Sequence, residues 1–393
     1  MYPELGALRI ELIAAIVIFI SITFSERGFS NILTNQNSIS RYLWLFFLVG
    51  MLSVPQALDV AASWQEGGYE LLKMVLFYIM IVSSVQDTED LKKLVWTFVL
   101  MTVWIGYEPI VNYLTGVVVE EDYGAVAIGR FGAAAGHVAL ANTLNQGIPL
   151  IYFSLLYEKR SSRRIILWAA LAFVIIGVIV SKSRGGFLGF LAIGAGIIYF
   201  TENRGRAIFY FVIVFLVTLP LAGGEYVDHI MSILDGIHGS RSSSDRFLGL
   251  INGIDMLFKR PLLGVGIGCF AEARSYFFSY RFESHNLYGE LIGELGLASI
   301  IWFIWMYWIF KRANLLKSLL NTENDTHNFY FNMLNGIQLG LFVRLFLGNF
   351  THGSLIWFWF FMAALVSSID NLIFEDEEVI EYLENQDNEL EDT

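Results

Sequence analysis

Four side chains in this chain have chemistry that an apolar helix does not need. Arg184 lies in SKSRGGFLG (181–189), between two long apolar runs, with two glycines directly after it. A guanidinium is planar, always charged and bidentate, which suits phosphate. Glycines beside it would let an anion reach the backbone at a helix start, where N–H groups point outward. The competing reading is a cation snorkelling from a helix end. Arg246 follows Ser244 and Asp245, either of which could cap the amphipathic stretch SSSDRFLGLINGIDMLFKR (242–260). Arg241, Lys259 and Arg260 add further positive charge, of the kind that suits an anionic lipid headgroup. His285 and Asn286 open SHNLYGELIGELGLASII (284–301). An imidazole with an ordinary pKa of about 6.5 can accept a proton near neutral pH, and Asn286 could orient it or bind a sugar hydroxyl. A lone histidine is more often structural, but a junction between a loop and an apolar run favours chemistry.

Four other charged residues extend the set. Glu290 and Glu294 are four residues apart and share a helix face. Pointing inward they would be functional; at the interface they would be N-terminal charges favoured by the helix dipole. Glu294 is the deeper of the two and the better substrate-binding candidate. Arg130, in GRFGAAAGHVALANTLNQGIPL (129–150), is a possible site residue, whereas Asn142, Asn145 and Gln146 read as helix–helix hydrogen bonders. Arg344 lies inside IQLGLFVRLFLGNF (337–350) and needs a carboxylate partner or a bound anion.

The elements that position these residues are membrane helices. The 393 residues are 55% hydrophobic and only 16% charged, well under the roughly 25% charge of a soluble domain. Continuous apolar runs near the length of a bilayer span recur at 7–24, 41–57, 68–86, 93–118, 133–157, 164–182, 184–201, 206–222, 286–310, 330–349 and 352–370. They predict an all-α polytopic protein with about eleven or twelve transmembrane helices and no β-barrel alternation. The first run lacks a small-residue cleavage site and is expected to remain as a span.

The basic turns EKRSSRR (158–164), TENRGR (201–206) and KRANLLK (311–317) belong on the cytoplasmic side, with QDTEDLKK (86–93) agreeing weakly. Alternation then puts 119–132, 181–186 and the long segment 223–285 on the outer face. A loop that long is functional or disordered, and Phe247, Leu250, Ile251, Ile254, Leu257 and Phe258 mark an amphipathic helix within it. The expected organisation is an N-terminal bundle (1–222), a periplasmic loop (223–285), C-terminal helices (286–370) and an acidic cytoplasmic tail (371–393). That tail carries much of the net charge of -12, so the charge does not indicate a basic partner. The single cysteine, Cys269, excludes an intrachain disulfide and Cys-based metal sites. No Walker A, H-E-x-x-H or Asp-rich motif is present. No cofactor, metal or nucleic-acid partner is expected.

Three stretches together resemble the O-antigen ligase and O-antigen polymerase superfamily of bacterial surface-polysaccharide enzymes: SKSRGGFLGFLAIG (181–194), DRFLGLINGIDMLFKRPLLGVGIGCF (245–270) and SHNLYGELIGELGLASII (284–301). GRFGAAAGHVALANTL (129–144) is a looser fourth and departs from the family's pattern around Arg130. The resemblance implies a glycosyltransferase of the bacterial inner membrane, working at the periplasmic face in lipopolysaccharide or polysaccharide biosynthesis. The donor would be an undecaprenyl-pyrophosphate-linked glycan. The acceptor would be a hydroxyl of lipid A core, of a protein or of another glycan, and neither metal nor nucleotide sugar would take part. It implies that Arg184 and Arg246 engage the pyrophosphate and that His285 serves as base; Asn286, Glu294, Arg130 and Arg344 are substrate-binding candidates from the residues themselves. A repeat-unit polymerase is the alternative within the superfamily. A lipid-linked glycan transporter coupled through Arg344 and Glu294 is the alternative from another class.

Overall fold

A computed structural model describes residues 38–117, 119–121, 124–127, 136–201, 203–222 and 241–376, with a few isolated positions besides. The expected first span (all but three of its positions), Arg130, the start of the long loop (223–240) and nearly all of the acidic tail beyond Asp376 lie outside the described residues.

The helices in chain order are α1 (Ser38–Ser53), α2 (Val60–Ser84), α3 (Thr88–Leu114), α4 (His137–Tyr157), α5 (Ser161–Val180), α6 (Arg184–Phe200), α7 (Arg204–Ala222), α8 (Arg241–Lys259), α9 (Phe270–Phe278), α10 (Leu287–Leu295), α11 (Ile300–Ser318), α12 (Asp325–Leu347) and α13 (Trp357–Ile373). A short antiparallel ribbon, β1 (Val119–Glu121) with β2 (Gly124–Val126), pairs Val119 with Val126. Every expected span after the first falls on these helices, but the single span expected at 286–310 is divided between α10 and α11 by a 3-10 turn at Gly296–Ser299. Among the described residues, five helical runs are long and apolar enough to cross a membrane: Ser38–Gln56, Val60–Ser84, Thr88–Leu114, Ser161–Val180 and Leu287–Ser318. α6 and α13 are shorter apolar helices.

α12 lies along α4, α4 along α5, α13 along α2 and α11 along α1. The core between them is aromatic. Trp302 and Trp359 meet edge to face at 5.2 Å, and Trp305 stacks on Phe46 at 6.0 Å. Asn145 bridges helices as expected, its Nδ2 donating to the Gly186 carbonyl at 2.8 Å.

The bundle has two chemically distinct ends. At one, Lys159 meets Asp325 at 2.5 Å, Thr88 shares a hydroxyl hydrogen bond with Tyr330 at 2.6 Å, and Lys92 lies over Phe329 at 5.6 Å. This end gathers the turns 86–93 and 158–164, as alternation requires. At the other, the Ala127 N–H donates to Val180 O at 2.9 Å and the Leu287 N–H to Gly348 O at 2.8 Å. This second end holds the turn 181–186, the start of α10 and the segment 348–356.

The amphipathic helix exists as α8, but it already includes Arg241, a turn before the expected cap. Asp245 therefore lies inside the helix. α8 meets α10 through paired glycines four residues apart, Gly249 and Gly253 against Gly289 and Gly293. A methyl on Gly253 would lie 2.1 Å from Gly289 O, one on Gly289 2.4 Å from Gly249 O, and one on Gly249 1.9 Å from Ser284 O. These atoms are backbone and cannot turn away, so only glycine permits the approach. The contact sets Arg246, one turn before Gly249, beside His285, four residues before Gly289. Gly253→Ala is expected to force the helices apart at a cost of roughly 1–3 kcal/mol. Thermal unfolding in detergent would register it as a lowered Tm; an unchanged Tm would mean that the helices are not in backbone contact.

Candidate active site

Arg184 is the first residue of α6. Ser183 caps that helix, its Oγ accepting from the Gly186 N–H at 3.1 Å. Of the two glycines behind Arg184, Gly186 does not do what the sequence suggested. A Cβ on Gly186 would lie 2.5 Å from Ala141 Cβ, so this glycine admits α4 rather than a ligand. A Cβ on Gly185 would make only ordinary contact with Phe350, at 3.6 Å. The backbone at Gly185 thus lies beside Phe350, and the Arg246 guanidinium lies 5.9 Å from the centroid of that ring. Arg246 is pushed below its usual pKa by burial first and by the positive charge of Arg184 second, with Asp245 opposing. Two guanidinium groups close enough to repel across a partly desolvated space form a site that an anion would relieve.

His285 adopts the left-handed backbone conformation, with φ of 48°, directly before Asn286. Histidine is among the few non-glycine residues enriched there. Asn286 is the N-cap of α10, its Oδ1 accepting from the Gly289 N–H at 2.9 Å while its Nδ2 reaches Asn349 O at 3.4 Å. Its side-chain amide is thus engaged by α10 and by Asn349, not by the His285 ring. The His285 ring meets Phe282 edge-on at 4.9 Å and the ring of His352 at 5.1 Å. Its pKa is lowered to about 4 by burial first, then by His352, Arg246 and Arg274, with Asp245 opposing. Its imidazole is therefore neutral, and able to accept a proton, throughout the physiological range.

Two residues that sequence reasoning passed over support this arrangement. His352 lies in the segment joining α12 to α13, and its Nδ1 is buried without a hydrogen-bond partner. Burial lowers its pKa, against the pull of Glu283. The segment around it is tied to α10: Glu290 Oε2 accepts from the N–H groups of Gly353 (2.8 Å) and Ser354 (3.1 Å), and Tyr288 Oη donates to Leu345 O at 2.8 Å. Arg274, on α9, is 1% exposed. Its Nε donates to Asn252 Oδ1 at 3.0 Å and its Nη1 to Glu283 O at 2.9 Å, which ties the strand-like run before His285 back to α8.

The remaining candidates sit apart. Arg344 has no carboxylate within ion-pair distance among the described residues. Its Nη2 donates to the His352 carbonyl at 2.8 Å, its guanidinium lies 5.6 Å from the Trp359 ring centroid, and its buried Nε has no partner. It holds the His352 segment from beneath. Glu294 accepts from the Phe270 N–H at 3.2 Å and anchors the turn before α9. Neither residue faces the other as a coupling pair.

Among the described residues, a helical bundle of membrane-spanning type presents two guanidinium groups and two imidazoles at one end. Residues 169–304, about a third of the chain, match the O-antigen ligase family; this stretch is an O-antigen ligase domain of the O-antigen ligase/polymerase superfamily. The match includes Arg184, Arg246 and His285 and ends before Arg344 and His352. No curated protein matches the chain.

Proposed function

We propose that this protein transfers a glycan from a polyprenyl pyrophosphate carrier to a hydroxyl acceptor, without a metal, at the outer face of a bacterial inner membrane. The observation that supports this reading best is the position of Arg246, over the Phe350 ring and within electrostatic reach of both Arg184 and His285. The donor's glycosidic C–O bond breaks as pyrophosphate departs with the electron pair. Arg184 and Arg246 stabilise the charge that develops on its oxygens. His285, neutral before reaction, takes the proton of the attacking hydroxyl, and the new C–O bond forms with inversion if that attack is direct. His352 shields the imidazole from water and lowers its pKa. The neighbouring segment 348–356 positions it.

The purified protein, reconstituted with a lipid pyrophosphate-linked oligosaccharide and candidate acceptors, should yield glycosylated acceptor and free prenyl pyrophosphate. Movement of the intact lipid-linked glycan across vesicles with no covalent product would instead indicate a transporter. Acceptor choice separates a ligase from a polymerase: lipid A core or protein in one case, another lipid-linked repeat in the other.

The same assay carries a pH signature. The free enzyme's His285 has a pKa of about 4, so kcat/KM should hold steady as pH falls through 6.5 and decline only near the lower value. A bound pyrophosphate adds negative charge beside the imidazole and raises its pKa, so the acid limb of kcat should lie at higher pH than that of kcat/KM. Identical limbs, both at 6.5, would remove His285 from the role of base.

A further inference from the structure

Away from the cluster, α6, α11 and α12 enclose an apolar groove of about 1080 Å³. Leu188, Leu191, Ala195, Leu339, Phe342 and Phe346 are among the apolar side chains that line it. It runs along α6 from Leu188 to Phe200, a rise of about 18 Å at 1.5 Å per residue. That is close to the hydrocarbon depth of one leaflet, roughly 15 Å.

The groove is chemically polarised. Its far end, opposite the Arg184 end of α6, carries Arg204 and Lys317 with Asn314, Asn335 and Gln338. Lys317 Nζ donates to Asn335 Oδ1 at 3.1 Å and Gln338 Oε1 at 2.5 Å, and it lies 5.3 Å from the Phe200 ring centroid. Gln338 Nε2 in turn donates to Asn314 Oδ1 at 3.0 Å and Phe310 O at 3.2 Å. The network fixes the ammonium group with neutral oxygens only. Among the described residues, no carboxylate lies within ion-pair distance of Lys317 or Arg204. Both cations belong to the arginine- and lysine-rich turns 201–206 and 311–317, which the charge rule assigns to the leaflet facing away from the cluster.

The geometry points to a binding site for one acidic phospholipid, with its acyl chains along the groove and its phosphate between Arg204 and Lys317. Basic pockets between membrane helices bind anionic headgroups in this way. The site is independent of glycosyl transfer, since no residue of it belongs to the arginine–histidine cluster.

Native mass spectrometry of the full chain, released from nanodiscs of mixed phosphatidylglycerol and phosphatidylcholine, tests the assignment. One phosphatidylglycerol should remain bound in preference to phosphatidylcholine. Arg204→Gln, at an exposed position, should weaken retention roughly five-fold, and adding Lys317→Gln should bring the loss to roughly 30-fold. Ala195→Trp, which fills the groove from an exposed position and leaves both cations in place, should also release the lipid. Equal retention of the two lipids, or retention indifferent to Arg204→Gln and Ala195→Trp, would overturn the proposal. So would displacement of phosphatidylglycerol by inorganic phosphate alone, which would mean that the cations read an anion without its chains. Displacement by a prenyl pyrophosphate at equal concentration would assign the groove to the donor's tail instead.

Discussion

Asparagine at position 285 is expected to lower glycosyl transfer by roughly 10²–10⁴-fold, the range for a positioned proton acceptor, with Tm unchanged. The choice of asparagine follows from the backbone. With φ at 48°, position 285 sits where most L-residues are strained by roughly 1–2 kcal/mol, while asparagine is tolerated. His285→Asn therefore removes the base and leaves the turn intact. His285→Ala removes both, and should lower Tm as well as activity. If the two variants lose stability together and His285→Asn keeps wild-type turnover, His285 is a turn residue and no more. His352→Ala provides an internal control. It removes one of the groups that depress the pKa of His285, so the surviving activity should show its acid limb at higher pH.

The second large effect concerns the two guanidinium groups. Arg184→Gln and Arg246→Gln should each reduce kcat/KM for a lipid-linked donor by roughly 10²–10³-fold, the scale of losing one preorganised donor to a developing oxyanion. The double variant should lose less than the product of the two, because both act on one leaving group. Lysine should restore only part of the activity at either site, since an ammonium cannot offer two parallel hydrogen bonds. Equilibrium binding of an unreactive prenyl diphosphate would weaken in the same order. Strictly multiplicative losses would place the two arginines on separate partners.

Much of this was readable from the chain. Ten apolar runs located α1–α7 and α10–α13, because length and continuity define them, though the break between α10 and α11 at Gly296–Ser299 stayed hidden inside one run. The spacing of Phe247, Leu250, Ile254 and Leu257 located α8 for the same reason. The residue types at 184, 246 and 285 pointed to an anion and a proton. What was not readable is non-local. Nothing in LGNFTHGS (347–354) says that it folds back over the start of α10, since the hydrogen bonds that hold it there run to residues some sixty positions away. His352 was invisible for that reason. Arg274 sits in a segment with no strong period. The role of Gly186 was misread because a glycine that admits a ligand and one that admits a helix look alike until the neighbour, Ala141, is known. The pairs Gly249/Gly253 and Gly289/Gly293 had a recognisable spacing, but spacing does not name the partner.

The fold-back of 348–354 bears on how such proteins can be recombined. The family stretch supplies both guanidinium groups and the proposed imidazole base, yet the backbone groups that hold the start of α10, the second imidazole and the phenyl ring beneath Arg246 are contributed by the last two helices and the turn between them. A chimera that grafts 169–304 alone onto a foreign scaffold should therefore insert and yet be inert. One that brings 325–373 along should regain turnover, with whatever acceptor preference the grafted turn imposes.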